Sequence, residues 1–421
     1  MTDIRELVSE MADEVEKCVN CGFCESVCPT LPASGFRSIM GARGRVDLGK
    51  AFVNEFAANG RNTLKIADSF YSCLDCFACL QVCPAGVNAG KVSEIGREIV
   101  TAHARTDANP EKPVAGMIVA ATMKFLNPLG VRKKCTSWSK GLEFDRDSST
   151  ILYTGNMYQL MAYSIPLGKM ERRLGEKATN FMSGIIAHHP AAIRLTSALV
   201  DRKMRRQMDI FLRNIYTLLR ASGAGFNYLG EEEPYPGTFI HDLGYRSNFM
   251  EYGRMVIDIF RKHGVKTIIT VDPHTYDILN VQYRKYFSDF DFEVAHYMDY
   301  LGKVKFSKTS ETITVHEPCH FVLRPGSYSG PTDLASSVAR VTYPERSGRR
   351  TMCCGGPDEL LFGKLSGNIS GERFAQLKAT GAERIITACP ICFTNLNKDS
   401  TVADISQLLV ERLQAETAPV P

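Results

Sequence analysis

Residues 380–393 read TGAERIITACPICF, and residues 263–276 read HGVKTIITVDPHTY. The Gly, the Ile-Ile-Thr and the Pro fall at the same places in both. Cys389 and Cys392 of the later copy are matched by Asp272 and Thr275 of the earlier one. The chain therefore says one thing twice, once with metal-binding side chains and once without them.

Around the later copy, three cysteine groups share one pattern. TVHEPCHFVLRPG carries Cys319, RRTMCCGGPDEL carries Cys353 and Cys354, and IITACPICFTNL carries Cys389 and Cys392. Each group closes or follows a short apolar run such as ETITVH or RIITA, and helix-like segments such as SGERFAQLKATG lie between. Alternating strand and helix predicts a parallel α/β sheet. Ligands collect at the carboxyl ends of the strands in such sheets, so the cysteines are expected to converge. Five thiolates are one more than zinc or a cubane needs. The surplus, with Cys353 and Cys354 adjacent, suggests an unusual iron–sulfur centre, with zinc or a small cluster as the structural alternative.

Two further runs stand near the N-terminus. CVNCGFCESVCP (18–29) and CLDCFACLQVCP (73–84) are both Cys-x2-Cys-x2-Cys-x3-Cys-Pro. This is the ligand run of two-cluster ferredoxins, in which the fourth cysteine of each run serves the other cluster. It assigns Cys18, Cys21, Cys24 and Cys83 to one 4Fe–4S cluster and Cys73, Cys76, Cys79 and Cys28 to a second. Arg43 and Arg45, in the intervening helical stretch, are expected beside the clusters or the partner, with a solvated helix face as the rival.

Composition agrees with metal rather than cross-links. The 421 residues are 44% apolar and 23% charged, which supports a buried core in about three domains of roughly 150 residues. The N-terminal MTDIRELVSE lacks the apolar core of a secretory signal, so a cytoplasmic location is expected, where the 14 cysteines stay reduced. A net charge of +4 gives no argument for nucleic acid. The apolar run VAGMIVAATM (114–123) is too short to span a bilayer. It reads as a buried helix, with contact at the inner face of a membrane as the rival. The basic helix around Arg202, Lys203, Arg205 and Arg206 reads as a solvated face, with docking of an acidic partner as the rival.

The five-cysteine constellation resembles the cysteine-rich CCG domain of heterodisulfide reductases. The whole chain looks like the D-subunit type, and is similar to the iron–sulfur subunits of glycolate oxidase and anaerobic glycerol-3-phosphate dehydrogenase systems. The resemblance implies an α+α/β fold. A mostly helical two-cluster ferredoxin-like domain (1–105) and a linker with a helical segment (106–150) precede two CCG-type units. The first unit (151–300) carries a helical insertion at 170–220, and the second (301–421) is intact. In the first, Asn156 stands where a cysteine is expected, Tyr235 and Pro236 replace a Cys-Cys pair, and Asp272 and Thr275 replace the last two. Duplication followed by loss of one metal site explains the opening repeat.

What the resemblance implies for function is an oxidoreductase subunit. It would relay electrons from a flavoprotein dehydrogenase, or another redox subunit, toward a quinone or a membrane quinone-reducing subunit. No G-x-G-x-x-G fingerprint follows a strand, so any flavin or nicotinamide belongs to a partner. The alternative is disulfide reduction at Cys319, Cys353, Cys354, Cys389 and Cys392, around a noncubane 4Fe–4S or 2Fe–2S centre. His316 and His320, flanking Cys319, are its candidate proton donors or hydrogen-bonding neighbours.

Overall fold

The computed structural model describes residues 3–60, 64–102, 112–196, 198–324 and 328–414. Most of the linker stretch 104–113 lies outside them.

The N-terminal region is helical. The helix Ile4–Val15 starts at Asp3, whose carboxylate accepts the backbone N–H of Arg5 at 3.0 Å. It buries Leu7, Met11 and Val15, spaced four apart on one face. That face packs on the helices Ala42–Asn59 and Ala89–Ala102. Close approach needs glycine at two points. A Cβ on Gly44 would lie 1.9 Å from the carbonyl oxygen of Ser38, and one on Gly96 would lie 2.3 Å from the ring of Phe70. The next helix, Pro113–Phe125, contains the apolar run 114–123 and buries Val114, Ala115, Ile118, Val119 and Ala121. Core packing accounts for these side chains, and no described helix is long and apolar enough to cross a membrane.

Two parallel sheets follow. The first consists of β1 (Thr150–Tyr153), β2 (Thr267–Thr270) and β3 (Glu293–His296) in the order β1-β2-β3. The second consists of β4 (Thr312–His316), β5 (Arg340–Val341), β6 (Arg384–Thr387) and β7 (Val402–Asp404), in the order β5-β4-β6-β7. The repeat seen in sequence is thus a repeat of strands. Ile268 and Ile269 hold the centre of one sheet, and Ile385 and Ile386 hold the centre of the other. Fully buried strands read as unbroken β-branched runs because both faces are covered.

The stretch between β1 and β2 is occupied by helices, chiefly Met157–Leu174, Glu176–His188 and Arg202–Ala221. The last begins at Asp201, whose side chain accepts the N–H groups of Lys203 and Met204. It buries Met204, Met208, Phe211, Leu212 and Ile215 and leaves Arg202, Lys203 and Arg206 on the solvent side. The architecture is α+α/β: a helical cysteine-bearing region, then two α/β units of which only the second carries the cysteine set.

Candidate metal centres

The two N-terminal runs fold alike. In each, the residues two and four after the first cysteine adopt a left-handed backbone: Asn20 (φ 59°) and Gly22 (φ 79°) in one, Asp75 (φ 54°) and Phe77 (φ 60°) in the other. These turns aim three successive thiols inward. Phe77 adopts this conformation at a cost of about 1–2 kcal/mol, which the surrounding structure must offset.

Two spaces result. One, of about 400 Å³, is lined by Cys18, Cys21, Cys24 and Cys83, with Arg43 at its edge. The other, of about 320 Å³, is lined by Cys28, Cys73, Cys76 and Cys79, with Arg45. Each space takes three thiols from one run and the fourth from the other. Backbone N–H groups point at the sulfurs, as from Val87 to Cys83 Sγ at 3.2 Å. Burial pushes the Cys79 thiol up to about 12, and the sulfurs of Cys73 and Cys28 add to it. Burial likewise raises Cys24 to about 12, with Glu25 and Cys28 adding. Four thiols crowded into one space are suited to a cationic iron core, which binds them as thiolates. The residues present fit 4Fe–4S clusters.

Arg45 is fully buried and donates from Nε to the carbonyl of Ser69 at 2.8 Å and from Nη1 to Thr30 at 3.1 Å. That places its charge against Cys28 and Cys73. Arg43, by contrast, is half exposed and pairs with Asp47 at 3.6 Å.

The C-terminal cysteines also converge. Cys319 follows β4, Cys389 follows β6, and Cys353 and Cys354 lie on the loop between β5 and the helix Gly363–Lys378. Cys319 Sγ and Cys353 Sγ are 3.8 Å apart. Cys353 and then Cys392 flank Cys354 and hold its thiol well below the ordinary range, against the effect of burial. Burial would raise Cys389, yet Cys392 and His274 bring it down to about 7. All five are buried. The N–H of Gly355 faces Cys353 Sγ at 3.5 Å, and that of Gly356 faces Cys354 Sγ at 3.4 Å.

The two histidines of HEPCH take different places. His320 Nδ1 lies 3.5 Å from Cys319 Sγ. His316 Nδ1 accepts from Arg373 Nε at 3.1 Å. Arginine is always a donor, so the neutral His316 ring carries its proton on Nε2. Nε2 has no nitrogen or oxygen partner, and the imidazole groups with the sulfurs of Cys354 and Cys392, the three ligand atoms lying within 4.8 Å of one another.

One neighbour was not anticipated from sequence. His274, in the DPHT of the cysteine-free unit, packs against His320 with ring centroids 3.9 Å apart and the rings tilted by 38°. Burial would lower it, but the Cys389 sulfur raises it to about 9. The signal lay in the repeat itself, since His274 aligns with Ile391 and is the polar exception.

In the first unit the matching positions also meet, without thiols. A Cβ on Gly155 would lie 2.6 Å from Thr275 Oγ1 and 3.1 Å from Pro236 Cδ. Buried Glu233 fills the region, accepting from the backbone N–H of Thr154 at 3.1 Å and from its hydroxyl. Burial raises Glu233 to about 8. Cys135 is buried, with Asn127 as its polar neighbour.

The paired four-cysteine spaces and the convergent five-cysteine loop set agree with the families that match the chain. Residues 14–87 match the 4Fe-4S dicluster domain, and residues 313–397 match the cysteine-rich (CCG) domain. Its homologues are CCG-domain iron–sulfur proteins. The chain is 22% identical to the D-type polypeptide of a dihydromethanophenazine:CoB–CoM heterodisulfide reductase from Methanosarcina barkeri, over 99% of this chain and 98% of that protein. It is 23% identical to a probable membrane-anchored ferredoxin of Chromohalobacter salexigens and 24% identical to a probable iron-sulfur-binding oxidoreductase of Bacillus subtilis. These matches cover 96% and 89% of this chain but 61% and 50% of those proteins, so the chain spans only about half to three fifths of their length.

Proposed function

We propose that the chain is the electron-transfer subunit of a multisubunit oxidoreductase. When bound, two 4Fe–4S clusters and a third iron–sulfur centre supply one-electron carriers; the protein supplies their order and surroundings. The observation that carries this reading is the position of Cys76. Cys76 packs in one apolar core with Cys319, Cys353, Cys354, Cys389 and Cys392, whereas Cys28 and Cys79 belong to a second core, shared by the N-terminal helices and the first sheet, against which Cys18, Cys24 and Cys83 pack. Burial and then Cys319 raise the Cys76 thiol. The three sites therefore stand in series, with the Cys28/73/76/79 space in the middle. At the outer end Cys21 is exposed, and Val19, Phe23 and Phe36 form an apolar rim 59–74% exposed. Such a rim suits a redox partner.

On this reading a flavoprotein dehydrogenase or comparable redox subunit meets the outer end. Residues 1–105 take the electrons, 301–421 deliver them, and 151–300 hold the two together from the cytoplasmic side of a membrane. An acceptor of the quinone class is supported by one relative, named an EtfAB:quinone oxidoreductase. The test is an iron count with electron paramagnetic resonance during stepwise anaerobic reduction. About twelve irons and three centres coupled in sequence support the relay; about eight irons remove the third site from it.

A second reading rests on the His274–His320 pair beside Cys389 and Cys319: reduction of a disulfide at the five-cysteine site. A resonance signal that appears only when a thiol is added to oxidised protein selects this reading over the relay.

A further inference from the structure

Two apolar clefts adjoin behind the five-cysteine site. The inner, of about 600 Å³, is lined by Leu160, Met161, Phe239, Ile391 and Gly356 among others. The outer, of about 690 Å³, includes Val114 and Met117 of the helix Pro113–Phe125 and Thr179, Met182 and Ile186 of the helix Glu176–His188. Both are lined by Ile118, Leu129, Leu167 and Leu360, so they form one groove with a shared throat.

The inner end touches the sulfur site. The Gly356 N–H faces Cys354 Sγ at 3.4 Å, and a Cβ on Gly356 would lie 3.3 Å from that sulfur and 2.3 Å from Ile391 Cγ2. A single layer of chain separates groove from thiol. Ser164 and Glu359 are the polar side chains lining this end.

The outer end opens among exposed apolar side chains. Phe181 is 71% exposed, and Leu174, Met182 and Ile185 are 40–49% exposed. Met182 also lines the groove. Arg173 and Arg194 are exposed in the same stretch. Apolar side chains flanked by cations fit the surface of an anionic bilayer.

We propose that this groove binds a lipophilic quinone drawn from a membrane, with its apolar chain through the shared throat and its ring at Gly356 and Ile391. A wholly apolar throat selects a long uncharged chain, and an inner end against the five-cysteine site selects a head group that accepts electrons. The inference deepens the relay reading by giving its acceptor a place. Reduction of such a ring takes two electrons and two protons and yields the quinol; the flavoprotein donor supplies the electrons and water the protons.

The test is equilibrium dialysis of decylubiquinone against the oxidised, iron-loaded full chain under anaerobic conditions. No electron flow is needed, so failure of the relay would leave this result standing. Saturable binding is expected, weakened at least tenfold by Leu167→Trp and by Ile118→Trp, which fill the throat. Unchanged iron content and resonance spectra show that both variants are folded. Equal binding by wild type and both folded variants, or equally tight binding of a decyl chain without the ring, overturns the proposal. Absence of binding also overturns it. If one variant loses iron, the other decides.

Discussion

Where β6 ends, Cys389 stands at the start of the helix Pro390–Leu396 and makes no capping hydrogen bond. Where β2 ends, Asp272 holds the same place before Pro273–Asp277 and accepts the N–H groups of His274 and Thr275, both at 3.0 Å. The backbone is the same and the side chains do opposite work. A thiolate committed to metal leaves its helix uncapped, and once the metal is not needed a carboxylate can close the helix end. The same exchange recurs across the unit, with Glu233 bonded to Thr154 and with Pro236 and Thr275 crowding Gly155. Yet the cysteine-free unit is not inert toward its sister, because its His274 reaches Cys389.

The sharpest way to break this comparison is to exchange the fates of the two positions. Cys389→Ser or Cys354→Ser should lose the iron of the third site and leave both N-terminal cluster signals intact, by iron assay and paramagnetic resonance. Asp272→Ser should leave iron unchanged. Iron lost from Asp272→Ser, or metal found at Asp272 by diffraction, would end the claim that the first unit holds none.

A smaller effect comes from Glu233. Its folded value is raised to about 8 by burial, against an ordinary 4.5. Between those values the folded state holds the extra proton. Its stabilising contribution is therefore complete below about pH 4.5 and is lost as pH rises through about 8. Anaerobic melting should show wild type losing stability from pH 6 to pH 8, by on the order of a few kcal/mol at most. Glu233→Gln should flatten that slope, and an unaltered slope would remove Glu233 as its source.

His274→Ala should keep the full iron content but change the shape of the third centre's resonance signal. A spectrum identical to wild type would mean that the first unit contributes nothing to the second site. Least in size, Asp272→Ala should lower stability by about 1 kcal/mol, the usual worth of an N-cap, as read from the denaturation midpoint. Asp272→Asn, which can still cap, should recover most of it.

Much of this was legible because cysteine spacing is local. Three thiols within seven residues declare a cluster run, and a strand repeated with its Gly and Pro declares a repeated unit. The crossing of Cys28 and Cys83 between the two spaces also follows from spacing. What could not be read were meetings made only by packing. Arg373 comes from the helix Gly363–Lys378 to fix the His316 ring. His274 arrives from another sheet, and nothing in its neighbours along the chain marks that destination. The groove is further from sequence still, since its walls come from several separate segments whose residues read singly as ordinary core. The run 114–123 illustrates the ambiguity, because an apolar helix suits a membrane surface or a protein interior equally well until its neighbours are known.

Buried Arg324 joins three regions at once. Its guanidinium meets Asp75, just before Cys76, at 2.9 Å, and Asp277, near His274, at 2.8 Å. Arg324 itself lies five residues after Cys319, and its Nη2 also donates to the Asp75 carbonyl at 3.0 Å. Few charges that are 3% exposed can be pulled apart without a large desolvation penalty. The joint between the middle and inner thiol sites is therefore clamped, and their separation is set by the fold rather than by a swinging domain. On the proposed relay, transfer across it should be indifferent to solvent viscosity, so that any slow, viscosity-dependent event of a turnover would belong to the docking of a redox partner.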